Sequence, residues 1–153
     1  DILYNEYKNL INKGKSEEEI KTLIWQNILD EYKKNSSKNS YRAYDWDMII
    51  RNVSNNLGLN IDINIIQLVQ KYCLSPYIKR YKDGAELLEK LNKQNHKLKV
   101  ITNGFYKYQY PVMKSLNLNN YFSEIMTCDK AKSIKPEQGI FLKTLKELLY
   151  FVF

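Results

Sequence analysis

At 153 residues and 44% hydrophobic composition, the chain can bury the core of one domain, or of one small domain with an insertion. No apolar run approaches the roughly 20 residues that span a bilayer, and the opening residues carry no signal-peptide pattern, so a membrane is not an expected partner. The formal charge of +7 comes from lysines scattered among acids, as on solvated helix faces, so small anions are expected partners and nucleic acid is not.

The first element in the chain is a helix over residues 3–11, closed by Asn12-Lys13-Gly14. Ser16 followed by Glu19 makes a capping box, after which Ile20, Leu23, Ile24, Ile28 and Tyr32 line one face of a second helix. Residues 34–40, KNSSKNS, are polar and low in complexity and read as a flexible loop. Two more helices follow, over residues 45–57, ended by Gly58, and over residues 62–72, stopped by Pro76; no strand signal interrupts them. The aromatic side chains of this half, among them Tyr4, Tyr7, Trp25, Tyr44 and Trp46, read as helix packing.

Residues 80–84 lead into a compact helix that starts at Gly84 and turns Leu87, Leu88 and Leu91 inward. His96 is the single histidine, which leaves no material for a histidine-based triad or zinc site. Cys73 and Cys128 lie far apart without metal-ligand spacing, as reduced thiols of a cytoplasmic protein do. Leu98-Lys99-Val100-Ile101 is a short run that suits a buried strand, and it stops at Thr102-Asn103-Gly104. Gly104 permits positive φ and close approach, and residues 106–116 have helical spacing, so a strand, a polar turn and a helix N-terminus form a ready anion site. A second strand, Glu124-Ile125-Met126-Thr127, leads through Cys128-Asp129 and a polar loop to Lys135-Pro136 and a helix that begins near Glu137. The last helix, residues 138–149, runs into the apolar Tyr150-Phe151-Val152-Phe153. Alternation of helix and strand from residue 80 onward means an α/β layer with a parallel sheet, whose ligands sit beyond the carboxyl ends of the strands.

Ile101-Thr102-Asn103-Gly104-Phe105, then Gln109, Leu116-Asn117-Leu118 and Tyr121-Phe122, and finally Lys135-Pro136-Glu137 with Ile140-Phe141 form one ordered pattern. In order and spacing it resembles the second and third motifs of the haloacid dehalogenase-like (HAD) hydrolase superfamily. The resemblance implies an α/β fold: a partial Rossmann-like parallel sheet core over residues 80–153, with an inserted all-helical cap domain over residues 1–79. It also implies two catalytic residues, Thr102 to hydrogen-bond the transferring phosphoryl group and Lys135 to offset charge on the phosphate and the nucleophilic carboxylate. Asn103 and Gly104 are the expected substrate-binding residues, through side-chain or backbone N–H groups. A small hydroxyl gives one bond at a fixed distance, and an ammonium stabilises the negative charge crowded into phosphoryl transfer.

Residues 1–6 resemble only the tail of the family's first motif, with Asp1 just after the catalytic carboxylate pair, and the acidic fourth motif that binds Mg²⁺ is absent. The resemblance therefore implies a fragment of a longer hydrolase, inactive by itself. The intact parent is expected to be a phosphatase that acts on a small phosphate monoester through an aspartyl-phosphate, with Mg²⁺ held by acids outside this chain. Two alternatives remain: a haloacid dehalogenase on the same scaffold, and a non-catalytic relic or interaction module that keeps the fold without the carboxylates.

Overall fold

The Ser16 hydroxyl accepts the Glu19 N–H at 3.3 Å while the Glu19 carboxylate accepts the Ser16 N–H at 2.7 Å, so the capping box forms and starts helix α2 (Glu17–Ser36). The computed structural model describes residues 2–11, 14–38, 40–59, 63–74 and 76–149, and α2 lies in the first of two units, Asp1–Ile63 and Asn64–Phe153. Its buried stripe of Ile20, Ile24 and Ile28 belongs to a core shared with α1 (Ile2–Ile11) and α3 (Trp46–Asn56). From α1, the fully buried Tyr7 sets its hydroxyl 2.7 Å from that of Ser54 on α3.

Residues 34–36, expected in a loop, instead extend α2. Asn35 Nδ2 donates to the Glu31 carbonyl at 2.8 Å and Ser36 Oγ to the Tyr32 carbonyl at 2.6 Å, so polar side chains able to break a helix attach to it here. Ser40 then caps a 3₁₀ turn, Tyr41–Tyr44, by accepting the Arg42 N–H. Glu31 is a buried acid on α2, with the Asn52 amide at 2.8 Å and the Lys34 ammonium at 3.3 Å. Burial pushes its carboxyl up, but hydrogen bonds from Asn52 and Lys34, with the Lys34 charge, outweigh that and hold it below the ordinary carboxylate range.

The second unit begins with α4 (Ile65–Tyr72), whose cap is Asn64, accepting the Gln67 N–H at 3.0 Å; the expected start at Asp62 lies outside the described residues. This helix packs on α6 (Tyr106–Ser115), within the second unit. Next comes α5 (Lys82–Lys93), which buries Ala85 and half-buries Leu88 and Leu91. Leu87, expected inside, is 55% exposed, because the buried positions recur every three residues from Ala85.

Strands β1 (Lys99–Thr102) and β2 (Glu124–Thr127) pair in parallel, Lys99 opposite Glu124 and Thr102 opposite Thr127. On one face Ile101 and Met126 pack against Ala131 of the single turn α7 (Cys128–Ala131) and Ile140 of α8 (Gln138–Leu149). At the N-terminal end of the pair Lys99 Nζ meets Glu124 at 2.5 Å and also donates to the Thr144 carbonyl at 3.2 Å, tying α8 to the sheet. The result is an α/β fold, mostly helical, around a small parallel sheet whose carboxyl edge presents Thr102 and Thr127. Asp1 and the apolar end, residues 150–153, lie outside the described residues, and no helix among those described is long and apolar enough to cross a membrane.

The Glu31 environment makes the first unit acid-sensitive. A carboxyl held low in the folded state adds stability above its ordinary value of about 4.5 and loses it as the pH falls through the folded value. Glu31→Gln is therefore expected to lower the melting temperature at neutral pH, with the deficit vanishing in acid below the carboxylate range, as read by circular dichroism melts.

Candidate active site

Thr102 ends β1, and its own side chain closes the turn that follows, Oγ1 accepting the Gly104 N–H at 3.1 Å. That bond uses a lone pair and keeps the hydroxyl proton available to an acceptor. Asn103 reaches across the chain to residue 135: its Oδ1 accepts the Lys135 N–H at 2.6 Å, and its Nδ2 donates to the Lys135 carbonyl at 3.2 Å. Two bonds of opposite sense fix the Lys135 backbone against the end of β1. The other side of this loop is held by Glu137, whose carboxylate accepts the Ser133 hydroxyl at 2.8 Å and the Ile134 N–H at 3.1 Å. The Lys135-Pro136 peptide is cis, and Lys135 is exposed.

The groups expected to bind substrate are thus engaged within the turn. The Gly104 N–H serves Thr102, and the Asn103 amide serves Lys135. Nor is Gly104 in the left-handed region, where the described glycines are Gly14 and Gly58. Its lack of a side chain matters for another reason: a Cβ there stands 2.5 Å from Gln109 Nε2 and 2.7 Å from Gln109 Cδ, so glycine lets Gln109 lie against the turn. The helix N-terminus is also occupied. Asp129 Oδ1 accepts the Tyr106 N–H at 3.0 Å, so a carboxylate of this chain already caps the start of α6.

Cys128, fully buried, donates its Sγ proton to the Asn103 carbonyl at 2.7 Å. Burial first and the neighbouring Asp129 charge second push its thiol up to about 12, which suits a packing group and not a nucleophile. Beside Thr102, the Thr127 hydroxyl is fully buried without a hydrogen-bond partner among the described residues. Sequence reasoning gave Gln109, Cys128, Asp129 and Thr127 no task. The place of Gln109 in the ordered motif pattern and that of Cys128-Asp129 directly after a strand are the signals available for them.

The described residues do not fit a Mg²⁺ site. Among them no group of three or more His, Cys, Asp or Glu side chains gathers, and Asp129, at the sheet's carboxyl edge, already receives the Tyr106 N–H.

The family model of the haloacid dehalogenase-like hydrolases matches residues 7–150. The chain belongs to that family. Among solved structures this HAD chain is similar to the HAD phosphatase from Thermococcus onnurineus, at 26% identity and a TM-score of 0.71 over 96% of this chain and 62% of that one. It also matches the L-2-haloacid dehalogenase from Xanthobacter autotrophicus, solved with chloropropionic acid covalently bound, at 17% identity and a TM-score of 0.57 over 95% and 58% of the two chains. A second L-2-haloacid dehalogenase matches at 15% identity and 0.55, over 96% and 66%. The two dehalogenase likenesses show the fold. The HAD chain spans 58% to 66% of the length of these solved structures. Comparison with curated protein sequences gives no match.

The buried, high-pKa thiol makes a direct expectation. At mildly alkaline pH iodoacetamide should leave Cys128 unmodified in the native protein and alkylate it after denaturation, as read by peptide mass spectrometry. Rapid native labelling is the contrary result.

Proposed function

We propose that the intact protein is a phosphatase acting on a small phosphate monoester through an aspartyl-phosphate intermediate. The observation that supports this most directly is the pair of Asn103 hydrogen bonds that sets the Lys135 segment beside the strand end at Thr102. In this reading Thr102 Oγ1, oriented by the Gly104 N–H, donates its proton to a phosphoryl oxygen. The Lys135 ammonium offsets the charge shared by the phosphate and the attacking carboxylate. The aspartate attacks phosphorus, the alcohol leaves with a proton from a second carboxylate, and water then hydrolyses the acyl-phosphate. Both carboxylates, and the acids for Mg²⁺, are assigned to parts of the intact protein other than the residues described above.

Likeness to a HAD phosphatase at 26% identity favours phosphoryl transfer, since the dehalogenases match at 15% and 17% and share the fold alone. The helical first unit is read as the cap domain that selects the substrate. A cytoplasmic setting suits Cys73 and Cys128, which form no disulfide among the described residues.

The intact protein, assayed on p-nitrophenyl phosphate, is expected to turn over with Mg²⁺. Thr102→Ala and Lys135→Ala should each lower kcat by about 10² to 10³. Halide release from 2-chloropropionate without phosphate release replaces this reading with the dehalogenase, and inactivity on both substrates with Mg²⁺ present replaces it with the non-catalytic module.

A further inference from the structure

Glu124 and Met126 of β2, Lys130 of α7, and Lys143 and Lys146 of α8 line an open hollow of about 660 Å³. That volume lies within the range of roughly 300 to 1,000 Å³ typical of small-molecule sites. Lys143 and Lys146 are three apart on one helix and so share a face. All three lysines are exposed.

Glu124, the acid in this lining, is already answered from within. Lys99 meets it at 2.5 Å, and both side chains are largely buried, at 13% and 16% exposure. Among the described residues the lining holds no further acid, so they give the hollow a positive excess. Two of the ammonium groups are also anchored. Lys130 Nζ donates to the Ile125 carbonyl at 3.1 Å and sits 4.0 Å from the centre of the Tyr106 ring, and Lys143 Nζ donates to the Ala131 carbonyl. An ammonium has three N–H donors, so one backbone bond steadies the head and leaves donors for a ligand. Anchoring of this kind reduces the side-chain ordering that binding would otherwise require.

We propose that this hollow is a second anion site, one that takes a phosphate-bearing small molecule, its charged group on Lys130, Lys143 and Lys146 and its body against Met126. Its lining shares no residue with Thr102, Asn103, Gly104 or Lys135. Glu124 and Thr127 stand at opposite ends of β2, three residues or about 10 Å apart. It does not rest on the phosphatase reading.

The test is calorimetric titration of the intact protein with pyrophosphate. Because pyrophosphate can also enter the Thr102 edge, the titration is made in the Thr102→Ala/Lys135→Ala background. Binding is expected to persist there, to weaken with added salt, and to weaken by about tenfold or more when Lys143→Gln and Lys146→Gln are added. Lys146→Gln alone, an exposed change with no anchoring bond to lose among the described residues, should weaken binding several-fold with an unchanged circular dichroism spectrum. Absence of binding in the Thr102→Ala/Lys135→Ala background, or binding indifferent to the α8 lysines, overturns the proposal.

Discussion

The side-chain amide of Asn103 joins the two segments on which the candidate site depends. With Oδ1 on the Lys135 N–H and Nδ2 on the Lys135 carbonyl, the loop cannot slide along the strand end without breaking both bonds. A net contribution of about 0.5 to 1.5 kcal/mol for each is modest for the fold but large for the position of one loop. Neighbouring contacts extend the same fixation: Cys128 Sγ to the Asn103 carbonyl, Asp129 to the Tyr106 N–H, and Thr102 Oγ1 to the Gly104 N–H. A pair of four-residue parallel strands is marginal alone. Side-chain bonds at its carboxyl edge therefore supply rigidity that so small a ladder cannot.

That fixation redistributes the chemistry. Backbone N–H groups at Gly104 and Tyr106 bind atoms of this chain, so the turn is built from donors that an anion could have used. In the proposed phosphatase, the Thr102 hydroxyl proton and the exposed Lys135 are the groups assigned to the phosphoryl oxygens. Cys128, the nearby group that a sequence might offer as a nucleophile, is kept protonated by burial. The Lys99–Glu124 pair at the other end of the sheet ties α8 to β1 and β2.

The sequence made legible whatever is local or periodic. The strand ending at Thr102 and the strand at residues 124–127 are where β-branched and apolar runs put them, and the Ser16 capping box follows from spacing alone. It misled where side chains act on distant backbone or on their own helix. Asn35 and Ser36 have loop composition, yet both donate to carbonyls four residues back. Gly104 keeps ordinary negative φ, and its missing side chain leaves room for Gln109 to lie against the turn. Asn103 bonds a segment 32 residues away, a pairing that no local pattern encodes.

The central claim is that Asn103 acts on catalysis through Lys135, and a double-mutant cycle on kcat/KM for p-nitrophenyl phosphate tests it most directly. If the account holds, Asn103→Ala lowers kcat/KM in the otherwise unaltered protein and has no further effect in the Lys135→Ala background. Losses that simply add would show that Asn103 works independently of Lys135 and would contradict it.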